Sequence, residues 1–370
     1  MNAVEREIAT YTFGKLDRLI RRDWGFFPET IERWKREGWD GSYEPFMFDE
    51  DPYAKDLINL VGIDLPLQPG FSQEVVEQTN EYTLVRTPSG GIEKFTKDKA
   101  RWGEIMPFYV KSPVETPEDW HTNIKPRLNP DTPERWTKFE ENWQEVSHQV
   151  RAGQKLYAGM AIGGYMYLRA MMGPEGTLLA FYDNPGMVHD MMQTWLHLVK
   201  TCLLRVQRRI PFFKYLIGED ICYKTGPLIS PDMMAEFLFP YYFDLMEALR
   251  KGQQDQMHAE IDSDGNVEAI MPLYMKVGFN TFRPFEVAAG SDVVRYGKEY
   301  PRLVMFGGID KRILASTKSA IKTEVERIIP AMVRRGGFCP TCDHTVPSNV
   351  PYENYLYYRQ LIVAMDANPT

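Results

Sequence analysis

The sequence predicts an α/β protein: a (β/α)8 barrel with an irregular N-terminal extension. Three observations lead there. From residue 155 onward, short apolar runs alternate with long amphipathic ones. Polar and charged residues gather at the C-terminal ends of the short runs, and no glycine-rich phosphate loop follows any of them. Short apolar strands suit a parallel sheet buried on both faces, and a TIM barrel places its chemistry at the strand C-termini. An open doubly wound sheet also alternates, but there is no G-x-G-x-x-G after a strand, and "GMAIGG" (159–164) is too weak a substitute. The expected organisation is one barrel domain over 1–370. Residues 1–150 would hold helices, a hairpin and the first barrel elements, and 151–370 the main β/α repeats.

Taken in order, "PETIERWKREG" (28–38) predicts a short helix opened by proline and closed by Gly38. "EYTLVRTPSGGIEKFTK" (81–97) predicts a hairpin around a Pro-Ser-Gly-Gly turn. Residues 112–136 form a surface traverse in which "TPEDW" and "TPERW" each open a helical turn. "KLYAGMAI" (155–162) is strand-like, and a long amphipathic helix covers 188–210. "FFKYLIGED" (212–220) is a strand ending in two acids, followed by a helix over 230–252. "DQMHAEIDSDGN" (255–266) is again a strand ending in acids, with a helix over 267–278. Strands over 279–287 and 302–310 end in Glu286 and Asp310, a helix covers 319–337, and the last strand runs into Asp343-His344.

Composition narrows the function classes. Hydrophobic content of 44%, with 13% aromatic, supports a large core and makes disorder a poor reading. A formal charge of −8 with no basic stripe argues against nucleic acid; Arg21-Arg22 and Arg334-Arg335 are short clusters suited to solvated faces. Four cysteines in so long a chain make no disulfide framework. The charged N-terminus lacks the apolar core of a signal peptide, and no apolar run approaches the roughly 18 residues of a membrane span. The expectation is a soluble, cytoplasmic protein, and its many aromatics are compatible with a homodimer.

The strand ends collect Glu219, Asp220, Asp262, Asp264, Glu286, Asp310 and His344. Around one rim such acids repel unless a proton or a cation lies among them. Asp262-Ser263-Asp264-Gly265 places two carboxylates at a spacing that can clasp one ion, and His344 can add an imidazole nitrogen, giving a three-ligand metal site with a free position. Plainer readings compete. D-x-D-G is often only a turn, Asp310 can cap the next helix or pair with Lys311 and Arg312, Glu286 can accept backbone amides, and His344 can be an ordinary loop histidine. His258 and Glu260 share a strand face with Asp262 and either extend the site or form a buried pair. Cys339 and Cys342 form a lone C-x-x-C without further partners for zinc, and it closes a strand instead of opening a helix; a thiol role is disfavoured.

From "GEDICYKTGPLISPDMM" (218–234) through "DSDGN" (262–266), "FEVAAGSDVV" (285–294) and "FGGIDKR" (306–312) to "DHTVPSNVPYENYLYY" (343–358), the chain resembles the uroporphyrinogen decarboxylase superfamily. It looks most like the branch of corrinoid-linked methyltransferases, whose opening "FGKLDRLIRRDWGFFPETIERWKREG" (13–38) resembles. The resemblance implies a (β/α)8 barrel with a deep cleft at the strand C-termini. Two departures matter. The R-Q-A-G-R segment that meets substrate carboxylates in the decarboxylases is missing, the comparable place reading "RLIRRDWGFF". The zinc methyltransferases carry H-x-C-G where this chain has Asp262-Ser263-Asp264-Gly265, and a second cysteine where it has His344. The resemblance therefore implies metal positions at Asp262, Asp264 and His344, with zinc or another divalent ion as cofactor.

Carboxylate and imidazole in place of thiolates make a harder ion, a stronger Lewis acid toward oxygen. The resulting expectation is O-demethylation: a methyl group moves from a methoxylated small molecule, aromatic or aliphatic, to a corrinoid supplied by a partner protein. Asp220, Glu219 and His344 are the expected catalytic groups; Trp24, Tyr165, Tyr223 and Glu286 are expected to bind substrate, with Phe26 and Tyr167 as further aromatic candidates, and ordinary core packing is the plainer reading of each of the five aromatics. The alternative is a cofactor-free decarboxylase of a pyrrole or aromatic acid, in which Asp220 or Asp262 holds a cationic intermediate and His344 handles protons.

Overall fold

The computed structural model describes residues 1–60, 67–96, 108–253 and 257–367. In chain order its strands are β1 Glu74–Gln78, β2 Tyr82–Arg86, β3 Ile92–Thr96, β4 Phe108–Lys111, β5 Ala158–Ile162, β6 Lys214–Gly218, β7 Cys222–Tyr223, β8 Gly226–Pro227, β9 His258–Asp262, β10 Thr281–Arg283, β11 Val304–Ile309 and β12 Phe338–Cys342. Strands β5, β6, β9, β10, β11 and β12 lie side by side in that order, all parallel. Two N-terminal stretches complete the circuit. Residues 53–60 run beside β5, through a parallel bridge from Tyr53 to Leu156 and a bond from Ile162 N to Leu60 O of 2.7 Å. Residues 23–27 run beside β12 and its extension, through the Phe26–Val346 bridge and Cys342 N to Asp23 Oδ1 at 3.0 Å. Asp49 N donates to Arg21 O at 2.7 Å and ties the two stretches together. The protein is an α/β barrel.

The strands form where the apolar runs predict them. All six residues of β11 are buried, as a strand covered on both faces requires. Helix Pro185–Gln207 turns Val188, Met191, Met192, Trp195, Val199 and Cys202 inward at three- and four-residue spacing. Helix Lys318–Arg335 does the same with Ile321, Val325, Ile328 and Met332. The predicted helix over 230–252 is two helices, Pro231–Phe237 and Phe239–Lys251, because Pro240 has no N–H to continue the first. Helix Gly164–Asp183 escapes the sequence pattern: Gly173-Pro174 interrupts it, with Gly173 at φ +72 producing a kink. The predicted hairpin is the central pair, β2 and β3, of a four-stranded antiparallel sheet β1–β4.

At the N-terminal mouth of the barrel sits helix Ala3–Thr12, started by an Asn2–Glu5 capping box. Its Tyr11 ring lies 5.0 Å from His258 and 5.7 Å from Phe306, and its hydroxyl bonds Glu260 and Lys214. Among the described residues no helix is long and apolar enough to cross a membrane.

Candidate active site

Register decides which side chains reach the opposite, C-terminal rim. Gly218 pairs with Asp262, Asp262 with Arg283, and Ile309 with Cys342. The residues that follow these positions therefore emerge together. They surround a cavity of about 350 Å³ whose wall includes Trp24, Met166, Asp220, Asp262, Asp264, Pro284 and His344. His344 and Thr345 also wall a second cavity of about 540 Å³, which Phe27, Glu286, Lys311, Arg312, Ser348 and Asn349 help to enclose.

The first cavity brings together the predicted acids and the histidine. Asp220 occupies the left-handed region at φ +40, a conformation that Asp tolerates better than most residues and that concentrates at functional positions. Burial, with Asp264 and Asp262 nearby, pushes its carboxyl up to about 6. His344 Nε2 lies 3.5 Å from Asp264 Oδ2, and this contact holds the imidazole above its ordinary value against the opposing effect of burial. Gly265, at φ +81, makes the turn that aims Asp264, so the turn reading of D-x-D-G and the site reading both hold. Asp262 points to a residue the sequence pattern did not single out. Its Oδ2 accepts from Arg283 Nε at 2.9 Å and lies 2.8 Å from Nη2 in the same ion pair, while Arg283 Nη1 reaches Glu260 Oε1 at 3.1 Å and the guanidinium stacks on Trp24. Burial raises Asp262, and Arg283 opposes the rise.

Crowded carboxylates are thus relieved three ways: a proton on Asp220 at mildly acidic pH, an imidazole beside Asp264 whose protonated form that carboxylate favours, and a guanidinium on Asp262. The three-ligand metal arrangement expected of Asp262, Asp264 and His344 is not built. Asp262 faces an arginine, Asp264 and His344 face each other, and among the described residues no group of three or more His, Cys, Asp or Glu side chains is placed to hold a metal ion. As placed, the three side chains do not converge on one ion position. The physical reason is Arg283, which supplies the positive charge that the acid cluster demanded.

Other expected residues sit elsewhere. Glu219 is fully buried behind the rim, accepting from Tyr242 at 2.8 Å and Tyr274 at 2.5 Å, with Tyr165 N at 3.3 Å. Burial without a cation raises it to about 8, so it is a neutral anchor for the start of helix Gly164–Asp183 and not a rim group. Tyr165 and Tyr167 are buried in the core, Phe26 packs among Trp34, Trp39 and Phe46, and Tyr223 is 66% exposed on β7. Of the four residues expected to bind substrate, Trp24 walls the first cavity and Glu286 the second. Glu286 also accepts from Gly265 N at 2.9 Å and Lys311 Nζ at 2.6 Å. Asp310 caps the helix Lys311–Leu314 and pairs with Arg312, the plainer of its two readings. Asp343 is buried and accepts from Val287 N at 2.9 Å and Lys311 N at 3.0 Å, fixing both loops beside His344.

Below the cavity Glu260 forms a buried cluster with Lys214 (2.6 Å), Tyr11 and Arg283. Burial would raise its carboxyl, but Lys214 and Arg283 outweigh it and bring it to about 2. His258 pairs with Asn280 instead, with burial lowering it to about 4. Cys339 and Cys342 are free, buried, and pushed upward by burial, so they are inert thiols beside the site.

The fold and the site define a barrel protein with an acidic, histidine-bearing cleft over its strand C-termini. The sequence profile of the uroporphyrinogen decarboxylase (URO-D) family matches residues 102–362, and the chain belongs to that family. Among solved structures, a methyltransferase from Methanosarcina mazei is similar at 13% identity, with 98% of this chain and 99% of that one covered and a TM-score of 0.59. A xylanase B from Clostridium stercorarium F9 matches at 11% identity over 57% of this chain and 72% of that one, with a TM-score of 0.33. No curated protein sequence matches.

Proposed function

We propose that the protein is a methyltransferase that removes the methyl group of a methoxylated small molecule, with His344 as general acid. The observation that carries this reading is the His344–Asp264 pair on the wall of the first cavity. Cleaving an O–CH3 bond leaves the electron pair on oxygen, and that oxygen needs a proton. An imidazole whose protonated form is favoured by a neighbouring carboxylate, and which walls the cavity, is suited to donate it. Asp264 positions the ring, and Asp220 is a second proton carrier near pH 6. The corrinoid, supplied by a partner protein, contributes the nucleophile that accepts the methyl group in this reading. The full-length likeness to a methyltransferase supports it.

Decarboxylation is the second reading, favoured by the family profile. It would use the same cavity, with His344 handling protons beside Asp220. The test is a methoxyarene, guaiacol, mixed with the enzyme and super-reduced cobalamin, following methylcobalamin by absorbance. Methylation that falls about 10²-fold in His344→Ala supports the proposal. Release of carbon dioxide from an aromatic acid without methylation, or activity indifferent to His344, overturns it.

A further inference from the structure

Outside the two cavities at His344, β4 and helix Gly164–Asp183 enclose a groove of about 590 Å³. Val114, Met172 and Ala180 are buried along its floor, while Phe108 on one bank and Leu179 on the other stay 59% and 53% exposed. The carboxylates on its walls, Glu115, Glu175 and Asp183, make no ion pair among the described residues, and no described lysine or arginine lines it. We infer that this groove docks an amphipathic helix of a partner protein, its apolar face seated between Phe108 and Leu179 and its flanks carrying lysine or arginine.

Shape and charge both select that occupant. Beyond Gly173 the helix runs on to Asp183, about 15 Å, which is enough for the i, i+3, i+4 and i+7 anchors of a docked helix. Gly176 and Ala180, one turn apart on the face that lines the groove, keep this bank low so that a second backbone can come close. Glu175 and Asp183 stand toward the two ends of the stretch and Glu115 on the bank of β4, so basic residues on both flanks of a docked helix meet carboxylates. A second copy of this chain would bring its own net charge of −8 to an acidic groove, which opposes self-association there. A small ligand would leave Phe108 and Leu179 in water, whereas a helix covers both. The groove also adjoins the cleft. Met166 walls the first cavity and Met172, further along the same helix, walls the groove. Arg169 between them donates to Tyr109 of β4, and its charge reaches Asp220. A partner seated here lies beside the first cavity.

The experiment measures, by fluorescence anisotropy, binding of a labelled helical peptide of about 14 residues with leucine on one face and lysine on its flanks. One control has glutamate in place of lysine; the other scrambles the lysine peptide so that no apolar face forms. The lysine peptide is expected to bind at least about tenfold more tightly than either control, and more weakly as salt rises. Gly176→Leu fills the low bank. Its Cβ would lie 3.5 Å from Met172 Cβ, an ordinary contact, and leucine favours a helix, so the variant should fold and lose about tenfold in affinity. Glu175→Gln combined with Asp183→Asn should lose about three- to tenfold and flatten the salt dependence. Equal binding of the lysine peptide and either control overturns the inference, as does a Gly176→Leu protein that binds as tightly as the wild type. Sedimentation showing a dimer that Gly176→Leu dissociates also overturns it, because the occupant is then a second copy. Binding is read without turnover, so the outcome is independent of the methyl-transfer reading.

Discussion

Replacing Asp264 by Asn tests the central pair, because it removes the charge and keeps the shape. At 3.5 Å two unit charges attract by about 1 kcal/mol in bulk water and about 5 kcal/mol at an effective dielectric of 20. The side chains of His344 and Asp264 are 35% and 39% exposed, so solvent screening favours the lower end. The expected loss is therefore about 1–1.5 kcal/mol. His344 is raised above 6.5 in the folded protein, so Asp264→Asn should move its titration to lower pH. The chain has six histidines, few enough for their ring signals to be followed one by one by NMR, with His344→Gln identifying the relevant one. The linkage has a definite sign. Stability from the raised imidazole is fully present below pH 6.5 and is lost as pH rises through the folded value. The variant should lose that increment at pH 6 and little at pH 9, and the alkaline limb of its rate profile should shift down with the imidazole. A His344 titration that stays in place, or moves upward, refutes the pairing.

Further outcomes follow from the same geometry. Glu219 is raised to about 8 from 4.5, so its contribution is complete below pH 4.5 and is lost up to about pH 8; Glu219→Gln should flatten the fall in urea-unfolding free energy between pH 5 and 8 by a few kcal/mol, and an unchanged slope would contradict the neutral-anchor role. Arg283→Met leaves Asp262 without its guanidinium and Glu260 with Lys214 as its one remaining cation in this cluster, and should cost roughly 3–5 kcal/mol in denaturant titration; a loss under about 1 kcal/mol would show that the ion pairs are dispensable. Gly163→Ala places a Cβ 1.8 Å from Glu219 Oε2 and 2.8 Å from Gly218 O, so a destabilisation of about 2–3 kcal/mol is expected by thermal unfolding, and wild-type stability would mean that Glu219 can move aside.

The barrel was legible because its strands are apolar on both faces and their ends are acidic, a pattern carried within each segment. The meeting of Asp220, Asp262, Asp264 and His344 followed from that, since parallel strands of one barrel end at one rim. What lay between strands was less visible. Arg283 sits in "TFRPF" beside no acid in sequence, and only the β9–β10 register sets it against Asp262. Glu219 and Asp220 looked equivalent at the end of one run, yet successive residues leaving a strand face opposite ways, and Asp220 took the open side. Tyr165 lies in a helix that the Gly173-Pro174 break concealed, and it takes the plainer of its two readings, core packing. Trp24 and Glu286 face cavities because the chain around them pairs with β12 and its neighbours, a tertiary fact.

Arg283 has one hand on Asp262 in the cleft and another on Glu260, which is also gripped by Tyr11 of the first helix. The opening dozen residues are therefore part of the electrical floor of the cleft, although they lie at the far mouth of the barrel. A shortened protein lacking them would expose Lys214 and Glu260 to water and loosen the support under Arg283. Trimming this end for expression would then retune the acidity of Asp262, so variants made on such a background would report on a different cleft.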